Sequence, residues 1–276
     1  MKRKKRFAAL IVILLLAALT PPFLYWQNNS LTVSRYDYVS GEVPPGLDGY
    51  RIVQLSDLQD KCFGVDQTPL LERTAALEPD LIVLTGDMVD YNKFTMEPTL
   101  ALMRGVVEIA PCYYVTGNHE SAFDTVKLRE ILTAIANCGV TVLEDQYVWI
   151  EKDGGRFCLF GLADDHVLRW NWQKYLPEED CLCLMLAHRP ERLDRYAEAD
   201  VDLVFSGHAH GGQVRLPFLG GLYAPGQGWF PKLYEGMHER NGTTMLISRG
   251  LGNSTFPIRL FNRPEIVELT LRRPEK

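Results

Sequence analysis

The sequence lacks the features that mark several specialised classes of protein. It has no internal repeat and no low-complexity segment. With 46% hydrophobic and 23% charged residues over 276 positions, it has the composition of an ordinary folded chain. We therefore expect enough apolar material for a sizeable core, in one large domain or two small ones.

Paired cysteines are also missing. The six cysteines show no Cys-x-x-Cys spacing, so they do not read as a disulfide framework. Four of them lie in apolar runs that are typical of strands: Cys112, Cys158, Cys181 and Cys183. We expect small buried hydrophobic residues at these positions, with oxidation of one pair left open.

A net positive charge is missing outside the N-terminus. The net charge is −6, and residues 2–6, "KRKKR", carry five of the positive charges, so the rest of the chain is more acidic than the total. An acidic body argues against a surface that tracks a polyanion, and we expect no nucleic-acid partner. A phosphate group bound by this chain would be held by metal ions rather than by a positively charged surface.

One long hydrophobic run is present. It extends from Phe7 to Leu19 and continues through two prolines into an aromatic cluster formed by Phe23, Tyr25 and Trp26. Its total length comes near the roughly 20 residues that a bilayer requires. An uncleaved signal-anchor fits best, and a cleaved signal peptide or a buried core helix are the alternatives. The basic residues would stay cytoplasmic, which places a single-pass protein in the cell membrane with its body extracytoplasmic.

The chain divides into three parts. Residues 1–27 would form the membrane anchor, and residues 28–50 a linker and a leading strand rich in glycine and proline. Residues 51–276 alternate between strand-like and helix-like segments, with more strands in the second half. Several strands are apolar throughout, as in sheets that are covered on both faces. We predict an α/β domain.

Polar residues that can bind metal follow five of these strands. They are Asp57, Asp87, Asn118 with His119, His188, and the pair His208 and His210. Ligands of α/β sheets bind outside the carboxyl ends of the strands, so we expect these side chains to converge. The two imidazoles of "GHAH" are two residues apart and would face one side of an extended backbone.

The ligand types favour a two-metal site. Imidazole, carboxylate and amide without thiolate suit Mn, Fe or Zn rather than a structural cysteine-type zinc site. The set exceeds what one tetrahedral ion accepts. Two divalent ions would use all of it, and such a pair activates water for displacement at phosphorus.

The motifs "SDLQ", "GDMVD", "GNHE", "LAH" and "GHAHGGQ", in this order, resemble the calcineurin-like metallophosphoesterases over about residues 50–271. The stretches "SGHAHGGQVRLP" and "SRGLGNSTFPIRLFNRPEIVELTL" look like the membrane-anchored or exported bacterial branch. The resemblance implies a four-layer α/β/β/α sandwich, here preceded by the N-terminal transmembrane helix. Residues 51–276 would then be the catalytic domain.

The resemblance also implies a role for each site residue. Asp57, Gln59, Asp87 and His210 would surround the first ion. Asp87 would bridge to the second ion, which Asn118, His188 and His208 complete. His119 would be the acid that stabilises charge on a phosphate oxygen or protonates the leaving alkoxide, and Asp90 would orient its imidazole. The implied reaction is hydrolysis of a phosphomonoester or phosphodiester by metal-bound hydroxide. The expected membrane location, rather than the resemblance, points to a lipid-linked or cell-envelope substrate.

One position departs from the family pattern, which has Asp-x-His where this chain has Asp57-Leu58-Gln59. A glutamine oxygen is a weaker ligand than imidazole for Zn and suits Mn better. Three outcomes stay open: Gln59 binds the first ion with lower affinity, water replaces it, or only the second ion binds tightly. The third outcome would give a catalytically weakened metal-binding protein.

Overall fold

The computed structural model describes residues 2–164, 171–254 and 256–275. Its helices are α1 (Lys2–Asn29), α2 (Thr68–Ala75), α3 (Glu97–Val106), α4 (Asn118–Ser121), α5 (Thr125–Asn137) and α6 (Leu193–Ala197). The predicted helices of the body are confirmed. Helix α5 ends before Gly139, whose positive φ of 95° suits the residue that follows a helix.

The strands follow the predicted alternation. They are β1 (Thr32–Val39), β2 (Arg51–Leu55), β3 (Leu81–Thr85), β4 (Cys112–Val115), β5 (Thr141–Val142), β6 (Gln146–Lys152), β7 (Gly155–Gly161), β8 (Cys183–Leu186), β9 (Leu203–Ser206), β10 (Arg215–Leu216), β11 (Gly220–Gly221), β12 (Tyr223–Ala224), β13 (Gly228–Trp229), β14 (Gly236–Arg240), β15 (Thr243–Ile247) and β16 (Glu265–Arg272).

Two six-stranded sheets carry the fold. The first has the order β1-β16-β2-β3-β4-β5, and the second has the order β14-β15-β9-β8-β7-β6. Strands β2, β3 and β4 are parallel, and so are β7, β8 and β9. The carboxyl ends of neighbouring parallel strands therefore lie at one edge of each sheet.

The leading strand pairs with the end of the chain. Strand β1 runs parallel to β16 from Thr32 opposite Glu265 to Val39 opposite Arg272. Strand β16 in turn separates β1 from β2. Residues 32–39 are thus an edge strand of the first sheet rather than a flexible connection.

The two sheets pack face to face with helices outside them. Because side chains alternate along a strand, Ile52 faces the apolar layer between the sheets and Val53 faces the helices. The layer on the outer side of the first sheet includes Leu70 of α2 and Leu102 of α3. The outer layer of the second sheet includes Tyr196 of α6. These layers confirm the α/β/β/α architecture.

Helix α1 stands apart from these layers. Its apolar stretch has a mean hydropathy of 2.5 and no buried share, so it is long and apolar enough to cross a membrane. It contains Pro21 and Pro22 in its interior. A proline inside a helix costs about 3 kcal/mol in water but is tolerated in membrane helices.

The cysteines agree with the sequence interpretation except at Cys181, which lies before β8. All six are free, and Cys112, Cys158 and Cys183 are buried. Cys181 is half-buried, and Cys62, outside the strands, is exposed.

Candidate metal centre

The strand ends bring the expected side chains together. Within the described part of the chain, two clusters have ligand atoms within 4.8 Å of one another: Asp57, Asp87 and His210, and Asp87, His188 and His208. Both clusters contain Asp87, and every member is buried. The arrangement offers two adjacent cation sites that share one carboxylate.

The first cluster also contains Gln59. The distance between His210 Nε2 and Asp57 Oδ1 is 3.3 Å, and that between His210 Nε2 and Gln59 Nε2 is 3.2 Å. The other atom of the carboxamide, Oε1, is buried without a hydrogen-bond partner. A rotation about the last side-chain bond exchanges the two atoms and turns the oxygen toward the imidazole.

The second cluster includes Asn118. The Nε2 atom of His188 lies 3.2 Å from Asp87 Oδ2 and 3.2 Å from Asn118 Oδ1. The opposite ring atom, Nδ1, is 2.7 Å from the carbonyl oxygen of Thr85. Since a carbonyl only accepts, Nδ1 carries a proton, and Nε2 is the ring atom that faces the cluster.

The two histidines of "GHAH" do not share one extended backbone, which corrects the sequence interpretation. Strand β9 ends at Ser206, and His208 and His210 have φ values of 64° and 47°. The backbone turns through the left-handed region, so each imidazole joins a different cluster. Asp57, Gln59 and Asp87 also have positive φ. Such conformations cost of order 1–3 kcal/mol each and concentrate at functional sites.

Two glycines let the backbones approach at these turns. A Cβ at Gly207 would lie 2.0 Å from Ser56 Oγ and 2.3 Å from Asp57 Oδ2. A Cβ at Gly117 would lie 2.2 Å from Asp87 Oδ1. The site therefore depends on glycine at both positions.

Asp57 is fixed by hydrogen bonds from both sheets. Ser56 Oγ donates to its Oδ2 at 2.6 Å, and the backbone N–H of His208 donates to both carboxylate oxygens. Nearby, Gln54 Nε2 donates to Thr85 Oγ1 and to the carbonyl oxygen of Ser206. This buried amide links the two sheets directly below the clusters.

The electrostatics of the clusters favour cations. Burial raises the pKa of Asp57 to about 6, whereas His188 holds the pKa of Asp87 well below its usual range despite burial. Burial opposes a charge on His188, but the Asp87 carboxylate outweighs it and raises the pKa of His188 to about 10. Burial lowers the pKa of His208 and His210, which keeps these imidazoles neutral.

One histidine of each cluster also has a ring nitrogen without a hydrogen-bond partner in the described part of the chain. His208 Nε2 and His210 Nδ1 are buried and have no hydrogen-bond partner among the residues described. Leaving such groups unpaired costs about 1–3 kcal/mol each. Nitrogen and oxygen donors without sulfur, arranged around a shared carboxylate, are typical ligands of Mn, Fe or Zn.

His119 lies beside the clusters without joining them. Its Nε2 is 4.0 Å from Asp87 Oδ2, and its backbone N–H donates to Asp87 Oδ1 at 2.8 Å. The backbone N–H of Tyr91 donates to Nδ1 at 3.1 Å, so the proton of the neutral ring is on Nε2.

Asp90 lies near His119 but does not hydrogen-bond to it. The distance between Asp90 Oδ1 and His119 Nδ1 is 3.6 Å. The same oxygen accepts from the backbone N–H groups of Asn92 and Lys93, which caps the loop. Asp60 Oδ2 accepts from the Asp90 backbone and holds this loop in place.

A cavity of about 300 Å³ opens at this position. Its lining residues are Gln59, Asp90, Asn92, Lys93, His119 and Ser254. One further histidine of the sequence, His166, lies outside the described residues.

Comparison with known proteins identifies the family. The model of the calcineurin-like phosphoesterases matches residues 50–212. The chain belongs to this family. Calcineurin-like phosphoesterases hydrolyse phosphate esters and use two divalent metal ions, and the two clusters supply the candidate ligands.

Similar calcineurin-like proteins occur in bacteria and animals. The metallophosphoesterase YkuE of Bacillus subtilis (strain 168) is 31% identical, over 90% of this chain and 88% of the relative. The phosphodiesterase YaeI of Escherichia coli (strain K12) is 30% identical, over 80% of this chain and 77% of the relative. A transmembrane protein with a metallophosphoesterase domain from Bos taurus is 27% identical, over 83% of this chain and 54% of the relative.

Sequence reasoning missed Glu120, the last residue of "GNHE". This carboxylate is completely buried and accepts hydrogen bonds from the backbone N–H groups of Asp87, Met88, Val89 and Gly117. Glu120 thereby links two turns, the one that carries Asp87 and the one that carries Asn118 and His119. The sequence offered one signal, which is that the acidic residue of the motif "GNHE" had no assigned role.

Proposed function

We propose that this protein is a membrane-anchored phosphoesterase that hydrolyses phosphomonoesters or phosphodiesters with two divalent ions, Mn, Zn or Fe. The observation that carries the proposal is the pair of buried clusters that share Asp87. The ring Nε2–H of His119 lies beside them. Asp57, Gln59, Asp87 and His210 would hold one ion. Asp87, Asn118, His188 and His208 would hold the other.

The protein side chains have distinct tasks in this reaction. The ions, when bound, supply an activated water and positive charge for the phosphate oxygens. His119 would donate a hydrogen bond from its Nε2–H to a phosphate oxygen or to the leaving oxygen, because the Tyr91 N–H occupies its Nδ1. Ser56 and the His208 backbone keep Asp57 aimed at its cluster.

Helix α1 supports the membrane location. Its apolar stretch is not packed against the body, and the five basic residues at its start favour a cytoplasmic N-terminus. The body would then be extracytoplasmic, near lipid and cell-wall phosphates. The bovine relative is also named as a transmembrane protein.

The proposal is tested by hydrolysis of a water-soluble aryl phosphodiester with added Mn. We expect turnover by the full-length protein and its loss in His208→Ala. The matched control is His238→Ala, because His238 is a histidine outside both clusters whose ring bonds only to the Glu235 carbonyl. Turnover that never exceeds the His208→Ala background, at any Mn concentration, would contradict the proposal.

A second candidate function follows from Gln59. Its Nε2, which is no ligand, faces His210. A protein that binds only the second ion would be a weakened enzyme or a metal-dependent binding protein. The elemental metal content and activity of Gln59→His decide between the two functions. Two ions and full activity in the wild type support the enzyme, and a gain of both only in the variant supports the binding protein.

A further inference from the structure

Seven large apolar side chains are exposed beside the metal centre. They lie on three segments, residues 218–219, 229–230 and 256–261. We name them the aromatic rim: Phe218, Leu219, Trp229, Phe230, Phe256, Ile258 and Phe261. Each is at least 40% exposed, and Trp229 is 64% exposed. A soluble surface rarely gathers so many such side chains without a partner.

Hydrogen bonds and ring contacts join the three segments. The Arg215 backbone, at the start of the hairpin that carries Phe218, donates to the Leu260 carbonyl at 2.9 Å. The Tyr223 ring lies 6.4 Å from Phe256 and 5.6 Å from Trp229. The three segments that carry the rim are therefore neighbours in the fold.

The rim borders the metal centre. Asn262, next to Phe261, donates from Nδ2 to the carbonyl oxygen of His210 at 2.7 Å. Ser254, two positions before Phe256, lines the same cavity as His119. A binding partner that contacts the rim would therefore also face the cavity beside His119.

The rim is also continuous with helix α1. The rings of Phe23 and Phe261 are 6.0 Å apart, and the guanidinium of Arg263 lies 4.8 Å from the Trp26 ring. Asn28 Oδ1 accepts from the Arg259 backbone at 2.9 Å. The end of the helix is thus attached to the segment that carries Phe256, Ile258 and Phe261.

The connection leaves little freedom between helix and body. Helix α1 ends at Asn29, and strand β1 begins at Thr32. The Lys61 ammonium donates to the carbonyl oxygens of Asn28 and Leu251, which ties the helix end to the loop beside the metal centre. A body held this closely cannot move away from the bilayer that the helix spans.

We propose that the aromatic rim rests in the interfacial layer of this membrane, so that the metal centre opens onto the leaflet and hydrolyses a phosphoester of a membrane lipid. Aromatic side chains concentrate at this depth because their rings are amphipathic. The lipid surface is favoured over a protein partner because the rim continues the exposed apolar surface of α1. The proposal deepens the phosphoesterase function and rests on it.

The contact is tested with the full-length protein in vesicles of phosphatidylethanolamine and phosphatidylglycerol in equal parts. A fluorescent label is placed at Trp229→Cys in a Cys62→Ser background, since Cys62 is the exposed cysteine of the described chain. Lipids with a nitroxide near the headgroup should quench it at least about threefold more than a label at Glu151→Cys. Glu151 is exposed and precedes Lys152, which pairs with Asp80. Asp80 lies at the amino end of β3, on the side of the sheet opposite to the carboxyl ends that form the metal centre. Equal quenching at both positions would overturn the proposal.

The substrate is tested in the same vesicles. The double variant Trp229→Ser with Phe230→Ser should lose at least about tenfold in hydrolysis of a phosphatidyl lipid with a fluorescent headgroup. Its activity on the soluble aryl phosphodiester should stay within about twofold of wild type, as should both activities of Tyr175→Ser, an exposed aromatic control. Unchanged lipid hydrolysis in the double variant would overturn the proposal. Absence of soluble activity in the wild type would instead overturn the phosphoesterase function.

Discussion

The backbone N–H of His208 donates to both carboxylate oxygens of Asp57, at 3.1 Å each. The two residues follow strands of different sheets, β9 and β2. The metal centre therefore forms across the junction of the sheets, and its geometry depends on how closely the two turns approach.

Gly207→Ala tests this approach. The new Cβ would overlap Ser56 Oγ and Asp57 Oδ2, so we expect activity to fall about 100-fold or more, because small displacements of reacting groups are costly. Overpacking should lower the free energy of unfolding by about 2 kcal/mol. Urea denaturation and aryl phosphodiester turnover measure both effects. Gly41→Ala is the control, since its Cβ meets nothing within 4 Å, and equal behaviour of the two variants would refute the argument.

Glu120→Gln tests the buried carboxylate. The amide nitrogen of glutamine cannot accept, so at least one of the four backbone N–H groups would face another donor. We expect a loss of about 3 kcal/mol in the free energy of unfolding. Glu130→Gln is the matched control because Glu130 makes only an exposed ion pair with Lys127. A loss in Glu120→Gln as small as in the control would show that the turn does not depend on Glu120.

His119→Asn separates the hydrogen bond that His119 donates to the substrate from metal binding. His119 belongs to neither cluster, so the metal content should stay at the wild-type value while kcat falls about 10²–10⁴-fold. Asp90→Asn should cost less than about tenfold, because the Tyr91 N–H rather than Asp90 bonds to the His119 ring. Elemental analysis and steady-state kinetics provide the readouts. An Asp90→Asn loss as large as that of His119→Asn would restore the orienting role predicted from the sequence.

Metal binding should depend on pH. In the metal-free protein the Asp87 carboxylate, against the effect of burial, raises the pKa of His188 to about 10, so His188 binds a proton below that pH. A bound ion requires the neutral imidazole and displaces this proton. Affinity should therefore rise about tenfold per pH unit between pH 7 and 9. Calorimetry in buffers of different ionisation enthalpy measures the released proton. An affinity independent of pH in this range would contradict the assignment.

Much of the site was predictable because it follows from strand ends. Parallel strands carry Asp57, Asp87 and Asn118 to one edge of the first sheet, and His188 and the His208–His210 turn to one edge of the second. The grouping within each sheet needed only the strand assignment, and the packing of the two sheets followed from the family resemblance. The α/β/β/α layers were predicted from the family resemblance and are confirmed.

Other features depend on contacts that are distant in the sequence. Strand β1 pairs with β16 more than two hundred residues away, and no local pattern specifies that partner. The short hairpins β10–β11 and β12–β13 escaped prediction because each strand has only two residues. The left-handed turns at His208 and His210 depend on packing against Asp57, which alternation of side chains does not reveal.

The most direct measurement is the number of metal ions bound per chain in the wild type and in Asp87→Asn. The shared carboxylate predicts two divalent ions in the wild-type protein and a large loss of both in the variant, together with loss of phosphodiester hydrolysis. Elemental analysis after reconstitution with excess Mn gives the number. One ion in the wild type, or two tightly bound ions in Asp87→Asn, would contradict a centre built around Asp87.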